Sequence, residues 1–314
     1  MIPIRFLVLG EGWPAKRCVR TIQAHADGHL AAWISPNTDK HESEIELSDF
    51  NSARGAEYVR KLHVDWIVSA NNLQIVGEDV LREVDYKAIN FHPAPLPEYA
   101  GLHCHQWAIR NGEQLFGVSI HMISSSVDSG DIIAEHNFAL SGEETGLSLF
   151  IKCMGEGASL LESVLNKILS GRDLDRRKQD LSKRRVYRHS DAITSELNWQ
   201  EPADRLIRFI RACNYEPFAS PTYSARLNLS NNDNITILLA IIGGFTTHEP
   251  GDFVRISESG IHFAAGDRRE VVVTKAKHAG VDMSGHALAA FFGSPVAQLD
   301  GSQGRRPSST RLFK

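Results

Sequence analysis

Apolar runs and amphipathic stretches alternate along the first 170 residues or so. Ile4–Leu9 is continuously apolar, Gly10-Glu11-Gly12 follows, and Ala15–Ala24 then carries its apolar positions at helical spacing. A strand, a glycine turn and a helix in that order open a doubly wound α/β domain. Leu30–Ile34, Trp66–Ala70 and Ala88–Phe91 read as further buried strands, with helices over Ala53–Leu62 and Val76–Val84 between them. Strands alternating with helices predict a mainly parallel sheet. Phe116–Ile123 and Ile132–Phe138 read as two more strands, joined by the polar segment Ser124–Asp131. Leu147–Leu169 is a long amphipathic helix with a stop signal at Ser170-Gly171.

That rhythm ends in a charged stretch containing Arg172, Arg176, Arg177, Lys178, Lys183, Arg184, Arg185 and Arg188, interrupted by Asp173, Asp175 and Asp180. Mixed signs make it read as a solvated linker rather than a nucleic-acid patch. Beyond it Ala203–Ala212 predicts a short helix. Ile235–Ile242, Phe253–Ile256, Gly260–Phe263 and Val271–Val273 predict short strands, with Gly243-Gly244, Pro250-Gly251 and Gly266-Asp267 as the turns between them. Short strands punctuated by turns suggest a small β barrel or sandwich. The expected organisation is a Rossmann-like α/β domain over residues 1–188, a small OB-like β-barrel domain over 189–299 and a loose tail over 300–314.

Composition narrows the function classes. The chain has 314 residues, 42% of them hydrophobic, enough for two cores. Its formal charge of −4 is opposite in sign to the field a polyanion-binding protein would need. Cys18, Cys104, Cys153 and Cys213 are scattered and form no C-x-x-C pair, as suits reduced thiols in a cytoplasmic protein. No apolar run is long enough for a membrane span, so no membrane partner is expected. The oligomeric state is left open.

The densest chemistry lies in Asn90-Phe91-His92-Pro93-Ala94-Pro95-Leu96-Pro97-Glu98-Tyr99-Ala100-Gly101, directly after a predicted strand. Open α/β sheets carry their ligand sites on loops at the carboxyl ends of strands. Strand alternation puts Asn90 and His92 on one side and Phe91 on the other. A carboxamide and an imidazole on stiff backbone suit acyl transfer, because both can donate to an oxyanion and the imidazole can also handle a proton. Asp128, in Val127-Asp128-Ser129-Gly130-Asp131, is the candidate carboxylate partner, able to set the protonation of His92 or collect a proton from an attacking amine. Taken as residue types alone these are common patterns, and most Asp-Ser-Gly triplets are turns.

The segment from Asn90 resembles the Asn-x-His-x-Ser-Leu-Leu-Pro signature of the folate-dependent formyltransferases. The likeness continues through Gly101-Leu102-His103, Trp107-Ala108-Ile109, Asn111-Gly112-Glu113, Gly117-Val118-Ser119-Ile120-His121 and Val127-Asp128-Ser129-Gly130-Asp131-Ile132-Ile133. Position 128 minus position 92 is 36, the separation that family shows between its catalytic His and Asp. The resemblance implies a Rossmann-like formyltransferase domain, catalytic roles for Asn90, His92 and Asp128, and 10-formyltetrahydrofolate as co-substrate. It also implies that the pterin lies against the loop containing Leu73 and Ile75 and against the segment around Asp128, with Val127 and Asp131 among its contacts. Ala94, Pro95 and Ala100 depart from the signature in a loop that faces the acceptor in related enzymes. A second likeness, through Leu197-Asn198-Trp199, Pro202, Leu206, Ile210-Arg211-Ala212 and Pro217, is to the small β-barrel domain of methionyl-tRNA formyltransferase.

Other features read more plainly. Gly10-Glu11-Gly12 lacks the third glycine of a dinucleotide fingerprint and suits a tight turn. His103, Cys104 and His105 have no second ligand cluster at metal spacing, so no metal is expected. His121 reads as a structural strand residue, and Ser124-Ser125-Ser126 lacks a nucleophile elbow. For the acceptor, acidic and basic residues are about balanced from Asp191 onwards, which ranks a tRNA low because phosphate contacts need a basic surface. A small-molecule amine or hydroxylamine is the expected acceptor, either N-hydroxyornithine in siderophore assembly or an amino-sugar nucleotide. Arg110 and Arg211 are candidate anion anchors, with surface salt bridging as their plainer role. The alternatives are methionyl-tRNA formylation, hydrolysis of formyltetrahydrofolate and an inactive folate-binding module. Hydrolases of that kind carry a domain ahead of the catalytic one, whereas here the catalytic fold is expected to start at residue 4.

Overall fold

The computed structural model describes residues 2–36, 44–191, 196–229 and 233–293. The tail expected over 300–314 lies outside the described residues. Two compact units are present, one of Met1–Cys104, Leu115–Ala139 and Phe150–Arg188, the other of His105–Gln114, Leu140–Leu149 and His189–Lys314.

Chain order through the first part is β1 (Ile4–Gly10), α1 (Gly12–Ala24), β2 (Gly28–Ile34), α2 (Ala53–Lys61), β3 (Trp66–Ala70), α3 (Glu78–Glu83), β4 (Ala88–His92), β5 (Ala100–Gly101), α4 (Cys104–Asn111), β6 (Leu115–Met122), β7 (Ile132–Ala139), α5 (Gly146–Leu169) and β8 (Val186–Tyr187). The first unit is built on a six-stranded sheet in the order β2-β1-β3-β4-β6-β7. Pairing is parallel from β2 through β4 and antiparallel for β4–β6 and β6–β7. The parallel half follows from its strands being apolar on both faces, since helices must then cover both sides. Phe6, Leu7, Val8 and Leu9 are all fully buried in β1. Helix α1 turns Ala15, Cys18, Val19 and Ile22 inward at the three- and four-residue spacing that makes one face.

In the second unit α6 (Ala203–Cys213) is followed by β9 (Arg226–Asn228), β10 (Asn234–Phe245), β11 (Phe253–Ser257), β12 (Gly260–Ala264), β13 (Arg269–His278), β14 (Val281–Ser284) and α7 (Gly285–Gly293). Every strand pair there is antiparallel, in the order β11-β12-β13-β10-β9 with β14 on the free side of β13's end. Leu206 and Ile210 of α6 and Leu288 and Phe292 of α7 share one core with Ile235, Ile237, Phe263 and Val271. No helix among the described residues is long and apolar enough to cross a membrane.

Two expectations are corrected, and one helix carries no signal in the sequence. Gly243-Gly244 is not a turn: β10 runs on to Phe245, because Ile242 pairs with Val271 and Phe245 with Arg269 on either side of it. Helix α4 carries its apolar positions beside buried His105 and Gln106, which hid its periodicity. The charged stretch is no free linker: its backbone pairs β8 with β5 and bridges Arg177 to Ile132.

Candidate active site

Strand β4 delivers the site. Phe91 points towards α5, where a Cβ on Gly157 would come within 2.0 Å of its ring. Asn90 and His92 therefore share the opposite face, as strand alternation requires. In the neighbouring strand β6, His121 sits opposite Asn90 and Ser119 opposite His92. Fully buried Ser119 accepts the Leu96 N–H at 3.1 Å and donates to the Ala94 carbonyl at 2.9 Å, pinning the proline loop to the sheet.

The residues then converge on Asp128. Its Oδ2 lies 3.6 Å from Nδ1 of His92, and its Oδ1 lies 3.4 Å from Nε2 of His121. The side chains of His92, His121 and Asp128 are only 5, 3 and 9% exposed, so these charges act in a poorly screened setting. Oδ2 also accepts the Gly101 N–H at 2.8 Å. Asp128 itself has φ of 52°, in the left-handed region.

Tautomers follow from partners that can only accept. Nε2 of His92 lies 2.6 Å from the Tyr99 carbonyl, so it carries a proton and donates. That leaves Nδ1, facing Asp128, as the ring nitrogen free for proton work. His121 donates from Nδ1 to the Met122 carbonyl at 2.8 Å, so in the neutral ring Nε2 accepts from the Asn90 amide at 3.1 Å.

Burial pushes the His92 pKa below its ordinary value, with Asp128 opposing. Burial alone would raise Asp128, but the two imidazoles and the Gly101 N–H outweigh it and hold the carboxyl well below the usual carboxylate range. At neutral pH the arrangement is an ionised carboxylate against a neutral imidazole whose lone pair is at Nδ1. Such a dyad can take a proton from an attacking nucleophile, and a carboxamide beside it can stabilise an oxyanion.

The other expected site residues are in loops. Leu73, Ile75 and Val127 are 80, 55 and 50% exposed. Asn72 builds the first of these loops, accepting the Gln74 N–H at 2.9 Å and donating to the Gln74 carbonyl at 3.0 Å. Asp131 precedes β7, and its carbonyl accepts the Met122 N–H at 2.9 Å. Arg110 is a packing residue, 4.4 Å over the Trp107 ring and donating to the Tyr223 hydroxyl at 3.0 Å. Arg211 has Glu143 3.7 Å away. Cys104 donates to the Tyr99 carbonyl at 3.2 Å, and His105 contacts the Tyr215 hydroxyl.

Three site neighbours are not signalled by the sequence. His121 reads as an ordinary strand residue until β6 is known to lie beside β4. Gln179 and Arg184, in the charged stretch, hydrogen-bond the Asp128 loop, and nothing in their local pattern signals it.

The α/β sheet, the strand-end site and the appended antiparallel sheet define a two-part group-transfer class of fold. Residues 31–165 match the formyl transferase domain, and residues 191–291 match the formyl transferase C-terminal domain. The chain belongs to the formyl transferase family, a family of enzymes. A methionyl-tRNA formyltransferase of Agathobacter rectalis is 32% identical over 213 residues, covering 67% of this chain and 66% of the relative. One from Chlorobium chlorochromatii is 28% identical over 221 residues, covering 70% and 68%. The chain thus aligns with about two thirds of the length of these relatives. An N-formyltransferase from Helicobacter canadensis, solved with folinic acid and dTDP-3-aminofucose, superposes with a TM-score of 0.63 at 17% identity, over 86% of this chain and 98% of that one. HypX from Aquifex aeolicus, solved with tetrahydrofolic acid, superposes with a TM-score of 0.60 at 15% identity, over 99% of this chain and 50% of that one. At those identities the likeness to both structures is one of fold.

Proposed function

We propose that the chain transfers a formyl group from 10-formyltetrahydrofolate to an amine or hydroxylamine of a small-molecule acceptor, with Asn90, His92 and Asp128 as catalytic residues. The observation that carries this is the convergence of those three side chains on one face of β4, in a chain of this family. Folate as the carrier is supported by folate compounds bound to the Helicobacter canadensis and Aquifex aeolicus proteins. The exposed Leu73, Ile75 and Val127 are suited to a flat apolar ring, and Asp131 closes the same loop as Val127.

The acceptor amine attacks the formyl carbon, and the electron pair of the carbonyl moves onto its oxygen. The Asn90 amide donates to that oxyanion. The amine proton passes to Nδ1 of His92, whose resulting charge the Asp128 carboxylate stabilises. Collapse of the tetrahedral intermediate expels the folate nitrogen, which takes the proton back.

A small acceptor is favoured by the charge pattern of the second unit. Among its described residues the cations are largely engaged by carboxylates: Arg205 with Glu201, Arg208 with Asp204, Arg269 with Asp267, and Lys277 with Glu216. Cations so neutralised have little left for phosphates. N-hydroxyornithine and an amino-sugar nucleotide are the two acceptors of choice, the latter matching the sugar held by the Helicobacter canadensis protein. Methionyl-tRNA is the second reading, favoured by the Agathobacter rectalis relative. An acceptor screen with 10-formyltetrahydrofolate separates them. Tetrahydrofolate released only with dTDP- or UDP-amino sugars or hydroxyornithine supports the first reading, and release only with methionyl-tRNA supports the second. Release with no amine at all would make the protein a hydrolase.

A further inference from the structure

We propose that Gln179 is a positioning residue for this reaction, holding the backbone of the Asp128 loop so that the carboxylate meets His92. The inference rests on the catalytic reading of Asp128 given above. A non-glycine residue in the left-handed region is strained, so the loop needs outside support to stay there. Gln179 Nε2 donates to the Asp128 carbonyl at 3.1 Å and to the Gly130 carbonyl at 2.6 Å. Both amide protons are spent on groups that can only accept, which also fixes which end of the amide faces the loop.

From the opposite side the loop is pressed onto β6. A Cβ on Gly130 would lie 1.9 Å from the Met122 carbonyl, so no side chain fits there. The loop is thus clamped between β6 and Gln179. The segment around Gln179 grips the loop elsewhere too. Arg184 donates to the Val127 carbonyl at 2.5 Å, and Arg177 and Ile132 exchange backbone bonds of 2.8 and 2.9 Å. Within this group only Gln179 binds the carbonyl of Asp128 itself.

The same segment fixes the second contact of the carboxylate. Ala100 N–H donates to the Arg185 carbonyl at 3.0 Å and Leu102 N–H to the Tyr187 carbonyl at 2.8 Å. Between them, Gly101 N–H reaches Asp128 Oδ2. Backbone and side chain of Asp128 are therefore both set from one strap, residues 177–187, with the Gln179 amide as its direct hold.

Gln179→Met keeps the length and removes both donors. Gln179→Glu keeps the shape and turns an oxygen towards two carbonyls. Both should lower kcat about 10- to 100-fold with little change in KM for the formyl donor, the signature of misplacement rather than lost binding. The His92 titration, followed by NMR on the free protein, should move towards that of Asp128→Asn. A kcat within about twofold of the parent and an unmoved His92 titration in both variants would overturn the proposal. So would a Gln179→Met protein that no longer folds, since Gln179 would then be a stability residue. Full activity in Asp128→Asn overturns the catalytic reading instead, and the His92 titration still reports on Gln179 without any substrate.

Discussion

Among the described residues each unit buries a carboxylate against histidine, Asp128 in the first and Glu270 in the second, and the two settings differ in almost every respect but residue type. His262 and Glu270 lie on adjacent antiparallel strands, β12 and β13, 2.7 Å apart. Ser257 Oγ meets the other ring nitrogen at 2.7 Å and Arg255 meets the carboxylate at 3.0 Å, so this pair is saturated by its own surroundings. His92 and Asp128 stand 3.6 Å apart, on a strand end and a loop that pair with each other nowhere along the backbone. Their contact is too long for a hydrogen bond, and the carboxylate is shared among two rings and an N–H. A saturated pair has nothing to offer a ligand. A loose, strained and strapped one has a lone pair in reserve, which is why geometry separates a site from a staple where composition does not.

Breaking the loose pair should have the largest effect on turnover. Asn90→Ala, His92→Ala and Asp128→Ala are each expected to lower kcat about 100- to 10,000-fold, measured well below the unfolding transition and with the parent's circular dichroism. Near-normal turnover in any one of them removes that residue from the mechanism. Breaking the saturated pair should do the reverse. Glu270→Gln leaves His262 and Arg255 facing a neutral group and should destabilise the protein by about 3 kcal/mol in urea titration. Its kcat, measured well below the transition, should stay within about threefold of the parent. A large loss of kcat without loss of stability would make the second pair functional and collapse the contrast.

Acid should act on both pairs in the same direction. Burial depresses His92 and His262 below the ordinary histidine value of 6.5. A depressed pKa means the folded state binds the proton less readily than the unfolded chain. Stability from each is complete above 6.5 and declines as pH falls below it. Asp128, also depressed, adds a second decline below the ordinary carboxylate value of 3.8. Equilibrium unfolding against pH should therefore weaken in two stages, and His92→Asn and His262→Asn should each flatten the first. A stability that is level from pH 7 to pH 5 would contradict the buried, neutral assignment of both rings.

The smallest expected effect is chemical. All four cysteines are buried, and burial pushes Cys18 and Cys153 up to about 12. In native protein none should react with a maleimide within an hour at neutral pH, and all four should react in denaturant. Rapid labelling of the native chain would place at least one thiol at the surface.

Much of the fold was legible because its strands and helices obey simple periods. Ile4–Leu9, Trp66–Ala70 and Ala88–Phe91 lie inside β1, β3 and β4. The pairing of Asn90 with His92 on one face was legible for the same reason. What stayed hidden is what depends on neighbours far along the chain. His121 acquires its place only from the register that sets it opposite Asn90. Gln179 sits in a stretch whose charges suggest solvent, yet its backbone, the Gln179 amide and the Arg184 guanidinium do the holding. Helix α4 was masked by buried polar side chains: Gln106 donates to the Ala212 carbonyl at 3.0 Å, a bond no local pattern announces.

The parallel pairing of β5 with β8 joins residues 86 positions apart, Ala100 with Val186. In chain order the last strand of the six-stranded sheet ends at Ala139, ahead of the segment that tightens Asp128. A chain ending near residue 170 would thus hold Asn90, His92 and Asp128 and lack the strap that sets Asp128. On the proposed reading, the last constraint on the site is the last part of the first unit to be made, after every strand of the sheet that carries it.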